Sequence, residues 1–202
     1  MRRRIAILAS GTGSNAENLA AYFQNSDVAE VALLIADRKA PVIDRLKPYG
    51  VPAVIVPRAE WRENPQKAVA VMRDAAVDLV VLAGFLTVVP KEVLEAFPER
   101  IVNVHPSLLP KFGGKGMWGM NVHRAVIAAG EAESGITIHY VSEGVDTGAA
   151  IAQFRCPVPP TLLPQKATRS SRRISLKLYK NWWNLLHKVI FMQNVCFISN
   201  KI

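Results

Sequence analysis

Residues 101–110 read I-V-N-V-H-P-S-L-L-P, and the rest of the chain takes its meaning from them. The segment opens as a short apolar run, as a buried strand does, and carries two polar side chains, Asn103 and His105, two positions apart. Side chains alternate across a strand, so residues two apart share a face. Asn103 and His105 therefore point the same way, at the end where the strand runs out. Pro106 has no N–H to donate and stops the ladder. An amide beside an imidazole at the carboxyl end of a buried strand suits acyl-type chemistry. Asn can donate to a developing oxyanion, and His can move a proton near neutral pH. Taken alone, N-x-H-P reads better as a capped strand end with a hydrogen-bonded core histidine, so the flanking chain has to decide.

Toward the N-terminus, apolar runs at 4–10, 31–36, 51–56 and 78–83 predict four more strands. Helical spacing at 16–23, 41–49, 61–76 and 90–97 predicts the helices between them. Toward the C-terminus a helix is expected over 121–129, carrying His123 on its polar face. Residues 134–141, S-G-I-T-I-H-Y-V, alternate as a strand that includes His139. A turn at 142–148 and a strand at 149–156 complete a hairpin. Strands alternating with helices predict an α/β fold: a Rossmann-like, mostly parallel sheet with helices on both faces, closed by a C-terminal β-hairpin. In such sheets ligands bind beyond the carboxyl ends of the strands. The G-T-G-S-N turn at 11–15, the apolar loop at 85–89 and His105 all fall at that edge.

A strand, a Gly-rich turn and a helix together aim backbone N–H groups and a helix N-terminus at an anion. Ser14 and Asn15 can cap that helix or touch a phosphate. Gly11-x-Gly13-x-x-Ala16 also fits the loose dinucleotide fingerprint, with Asp37 near the place of a ribose-binding acid, about 20 residues on. An NAD(P)-binding module therefore stands as an alternative, and so does a tight turn with no ligand. Residues 111–120, K-F-G-G-K-G-M-W-G-M, hold four glycines but no P-loop motif, and read as a mobile lid or a plain connector. Asp146, in V-D-T-G, is ordinarily a turn residue. Next to His105 its carboxylate would orient the imidazole and stabilise the charged form.

A chain of 202 residues that is 50% apolar fits one α/β domain with an appendage. Cys156 and Cys196 are too few for a disulfide scaffold and lack metal-ligand spacing, which favours a reducing cytoplasm. The start M-R-R-R followed by an apolar run imitates a signal peptide, but the run is too short and a Gly-rich turn follows at once. No stretch approaches the ~20 apolar residues of a membrane span. The net charge of +9 is unevenly placed: residues 161–202 hold eight Lys/Arg and no acid, leaving 17 Lys/Arg against 16 Asp/Glu in residues 1–160. That shift divides a nearly neutral domain, 1–160, from a basic tail, 161–202.

Together these residues resemble the folate-dependent formyltransferases. Asn103-x-His105-Pro106-Ser107-Leu108-Leu109-Pro110 is similar to the family's N-x-H-P-S-L-L-P, and Asp146 falls where the family has its catalytic aspartate. The G-T-G-S-N turn resembles the phosphate loop of the purine-pathway branch. Branches that formylate methionyl-tRNA or hydrolyse formyltetrahydrofolate generally lack it. The resemblance implies transfer of a formyl group from 10-formyltetrahydrofolate to the amine of 5′-phosphoribosylglycinamide (GAR), without a metal; a different amine acceptor is the alternative within the family. It implies that Asn103 and protonated His105 stabilise the oxyanion, and that Asp146 holds His105 and helps relay a proton. The acceptor's phosphate would lie on Gly13, Ser14 and Asn15. Leu86, Thr87, Val88 and Val89 match the pterin loop, and Val141, Ser142, Glu143, Gly144 and Val145 its opposite wall. The partners implied are small molecules, not nucleic acid or membrane, in a cytoplasmic monomer or homodimer.

The likeness runs from about residue 4 to residue 159. The tail beyond reads as a nucleic-acid or membrane-surface binder, as an unusual packing helix, or as the product of a shifted reading frame. The abrupt loss of every acid together with the family pattern favours the third.

Overall fold

The computed structural model describes residues 2–158, so the expectations for the 161–202 tail lie outside the described residues. The N-terminal half alternates as expected. β1 (Arg3–Ala9) leads to α1 (Ser14–Phe23), β2 (Ala29–Ala36) to α2 (Pro41–Leu46), and β3 (Ala53–Ile55) to α3 (Arg58–Glu63) and α4 (Gln66–Asp74). β4 (Leu79–Leu82), α5 (Lys91–Ala96) and β5 (Ile101–His105) follow, then α6 (Met120–Ala128), β6 (Glu133–Tyr140) and β7 (Ala150–Pro157). The strand order is β3-β2-β1-β4-β5-β6-β7. β1 pairs in parallel with both β2 and β4, β2 with β3, and β4 with β5.

Three prolines account for the differences from the expected boundaries. The helix expected over 61–76 is two helices, because Pro65 disfavours helical backbone at Asn64, which sits at φ −146°, ψ 63°. The helix expected over 41–49 ends at Leu46 and tightens into a 3₁₀ turn, Lys47–Tyr49, around Pro48. The strand expected over 51–56 shortens to three residues because Pro52 has no ladder donor, although its carbonyl accepts from the Leu34 amide at 2.9 Å.

The described residues fold as two units, 2–104 with Ile138–Ala149, and His105–Thr137 with 150–158. In the first, the continuous apolar runs have the consequence expected of a two-faced parallel sheet. Ala6 and Leu8 of β1, Leu33 and Ile35 of β2, and Val80 and Leu82 of β4 share one core with Trp61, Met72 and Val93 from α3, α4 and α5. Ile7, Leu34 and Val81, one position out of phase, are equally buried. α1 and α2 contribute nothing to that core and pack on β2 from the other side. Trp61 is fully buried, its indole N–H donates to the Val56 carbonyl at 3.0 Å, and its ring meets Phe85 at 4.9 Å between centroids. Truncating such a side chain costs about 3–5 kcal/mol.

In the second unit the buried Thr137 hydroxyl donates to the Ser107 carbonyl (2.7 Å) and accepts from the Leu109 amide (3.0 Å) and Gln153 Nε2 (3.0 Å). Ser107–Leu109 is thereby pinned to β6 and β7. Gly135 lies against Phe154 there, while in the first unit the Tyr140 amide bonds the Ala149 carbonyl. Partner numbers fall as chain numbers rise, so β6 and β7 run antiparallel, as the hairpin reading requires.

Candidate active site

β5 carries both Asn103 and His105. In the first unit, Asn103 Nδ2 lies 3.1 Å from His139 Nε2 and 3.4 Å from Asp146 Oδ1, and the last two atoms are 3.7 Å apart. The His139 side chain is 2% exposed and that of Asp146 is 9%, so the cluster is largely shielded from water. The other ring nitrogen of His139 fixes the protonation pattern. Nδ1 lies 2.8 Å from the Tyr140 carbonyl, which only accepts, so Nδ1 carries a proton. Neutral His139 then presents a lone pair at Nε2, and the Asn103 carboxamide donates one hydrogen to it and the other to Asp146.

Asp146 reaches this position through a turn that strains it. Its φ is +58°, in the left-handed region that Asp tolerates better than most residues. Gly148, two positions on, lies so close to the Tyr140 carbonyl that a Cβ there would overlap it. The turn therefore needs glycine at 148 to bring 146 back toward β5.

His105 belongs to the second unit, where it is 3% exposed. Its Nε2 donates to the Phe112 carbonyl at 2.9 Å, which leaves Nδ1 as the basic nitrogen of the neutral ring. The Ser107 hydroxyl donates to the Lys111 carbonyl at 2.6 Å, so the start of the 111–120 loop is tied to the residues that follow β5. His123, in α6, is held neutral: burial and then the charge of His105 push its pKa down to about 4.

Sequence reasoning assigns no role to His139. The signal is present as a histidine near the end of an apolar strand, I-T-I-H-Y, seven residues before Asp146.

Gly13 is the N-cap of α1 in the left-handed conformation, φ +78°, and Ser14 is the first helical residue rather than the cap. A Cβ at Gly13 would overlap the Val42 side chain. The amides of Ser14 and Asn15 lie in the first turn of a ten-residue helix, at the positive end of its dipole.

In the loop after β4, Leu86 and Val88 are 41% and 64% exposed, while Val89 is buried in the main core. Of the residues expected opposite, Val141 is half-buried and Ser142, Glu143, Gly144 and Val145 are largely exposed, with the hydroxyls of Ser142 and Thr147 2.8 Å apart. Asp37 overturns the ribose-binding expectation. Its side chain has no exposed surface, and Oδ2 is taken by Arg58 Nε at 2.7 Å and by the Thr87 hydroxyl at 2.8 Å. A dinucleotide ribose cannot reach it.

In the first unit a carboxamide is shared between a buried imidazole and a carboxylate, and the sequence that carries it fits one family. The chain belongs to the formyl transferase family, whose pattern matches residues 3–181. Within it, the chain is similar to the chloroplastic phosphoribosylglycinamide formyltransferases of Arabidopsis thaliana and Vigna unguiculata. The first is 38% identical over 88% of this chain and 63% of the relative, and the second 40% over 78% and 52%. The chain thus spans between half and two thirds of the length of these plant proteins. Among solved structures, the phosphoribosylglycinamide formyltransferase of Anaplasma phagocytophilum superposes with a TM-score of 0.80 at 29% identity, covering 100% of this chain and 89% of that one.

Among the described residues, no helix is long and apolar enough to cross a membrane.

Proposed function

We propose that this chain transfers the formyl group of 10-formyltetrahydrofolate to the amine of 5′-phosphoribosylglycinamide, a step of purine biosynthesis, as a cytoplasmic monomer or homodimer. The observation that carries this reading is the Asn103 carboxamide held between His139 and Asp146 in a member of the formyl transferase family. As the amine attacks, negative charge grows on the formyl oxygen. A preorganised donor aimed at that oxygen contributes most when water is excluded. The Asn103 hydrogen now on Asp146 makes the longer of its two contacts and is the one to turn onto the oxygen. By resemblance to the family, His105 is the second residue proposed to stabilise that charge. Asp146 then takes the proton shed by the attacking amine, directly or through one water.

Gly13, Ser14 and Asn15 receive the acceptor's phosphate, since first-turn amides and the positive end of α1 favour an anion. Leu86 and Val88 offer the exposed apolar surface that a flat pterin covers, with Val141, Ser142, Glu143, Gly144 and Val145 opposite. Thr87 and Val89 hold the loop from beneath.

The test is formyl transfer, followed by loss of 10-formyltetrahydrofolate absorbance with the glycinamide present, in the parent and in Asn103→Ala. The parent turns over, and the variant loses roughly 10²–10³-fold in kcat. A parent active on a simple amine but not on the phosphorylated glycinamide would move the acceptor to another class. A parent inactive on every amine would refute the reading.

A further inference from the structure

We propose that Asp37 is a positioning residue for the folate wall: its buried carboxylate clamps Thr87 and thereby fixes which side chains the loop after β4 presents. The role in folate binding rests on the reading above; the clamp itself rests only on geometry.

Asp37 directly follows β2, and its side chain has no exposed surface. A carboxylate in that position is stable only when it is paired and hydrogen-bonded. Oδ2 accepts from Arg58 Nε, at the start of α3, and from the Thr87 hydroxyl, while Arg38 Nε lies 3.6 Å from Oδ1. Burial alone would raise the carboxyl pKa, but hydrogen bonds from Arg58, Thr87 and Ser10 outweigh it and hold it below the ordinary 3.8. The group is therefore ionised throughout the physiological range.

The same loop is tied at two more points. The Ser10 hydroxyl accepts from the Leu86 amide at 2.9 Å, and the Ser10 amide donates to the Gly84 carbonyl at 3.1 Å. Arg38, already beside Asp37, donates to the Ser10 carbonyl at 3.0 Å. The loop consequently alternates like a short strand. Thr87 turns inward onto Asp37 and Val89 inward into the core, while Leu86 and Val88 turn outward. Val89 alone would leave a pivot at Gly84, whose φ is +76°. The polar anchor at Thr87 removes that freedom, and it works because the carboxylate beneath it is shut away from water.

Three variants test this: Asp37→Asn, Thr87→Val and the two combined, with Thr87→Ser as the conservative control. Amide hydrogen exchange over residues 84–89 should rise roughly tenfold or more in each single variant, the effect of losing one hydrogen bond to a charged group. The KM for 10-formyltetrahydrofolate should rise by a similar factor while that for the glycinamide substrate stays within about twofold. Thr87→Ser should restore both readouts, and the double variant should be no worse than the more affected single one. Unchanged exchange at 84–89, or additive effects in the double variant, would overturn the clamp. Equal rises in both KM values would reduce Asp37 to a general structural role. A parent without turnover would sink the functional reading and the folate role with it, while exchange would still judge the clamp.

Discussion

Acid should weaken this protein through His123 well before it protonates the carboxylates. His123 Nε2 is buried, unlike the polar-face position its helical spacing predicts, and burial followed by the charge of His105 lowers its pKa from 6.5 to about 4. An unfolded chain binds a proton at the ordinary value, so between pH 6.5 and about 4 the unfolded state holds more protons than the folded one. Stability therefore falls as pH falls through that window and levels off below the folded value. A displacement of this size corresponds to about 3 kcal/mol, against a typical domain stability of about 5–15 kcal/mol. Urea unfolding at pH 7, 5.5 and 4, in the parent and in His123→Gln, isolates the effect because every other titrating group is shared. The parent should lose about 3 kcal/mol more than the variant between pH 7 and 4. Parallel losses in the two chains, or an NMR titration placing the His123 midpoint above 6, would refute the reasoning.

Gly13→Ala forces a Cβ into the Val42 side chain at a φ of +78°. The left-handed backbone costs about 1–2 kcal/mol and overpacking about 1–3, so a combined loss of about 2–5 kcal/mol should appear in urea unfolding, with a raised KM for the phosphorylated acceptor. Asp146→Asn keeps the shape of the cluster but removes the carboxylate proposed as proton acceptor, and should lower kcat by roughly 10²–10⁴ with both KM values little changed, as read in the transfer assay. The Cys156 thiol is pushed up to about 12 by burial and then by the Glu133 carboxylate. Relative to an ordinary thiol its thiolate is about a thousandfold scarcer, so peptide mapping after alkylation at pH 8 should find it unmodified until denaturant is added.

The sheet is legible because strands buried on both faces are written as unbroken apolar runs, of which L-V-V-L at 79–82 is the plainest. Helix ends are less so wherever a proline sits inside a periodic stretch: Pro65 divides a pattern whose apolar spacing continues across it. Asn103 and Asp146 can be joined only by resemblance, since 43 residues separate them. His139 escapes notice because alternation in β6 shows that a histidine is there and not what it meets. Asp37 misleads for a related reason. A loose glycine fingerprint gives it a ribose, whereas its partners, Arg58 and Thr87, lie 21 and 50 residues away and carry no local signature.

β3 stands at one end of the strand order and is only three residues long, between Pro52 and Pro57. Its ladder offers a neighbouring molecule about 10 Å of unpaired backbone, and neither flanking proline can extend it with an N–H. Ile55, 43% exposed, is the large apolar side chain on it. A chain that is half apolar thus closes this flank against strand addition and fibril growth with two imino acids and a strand too short to template another.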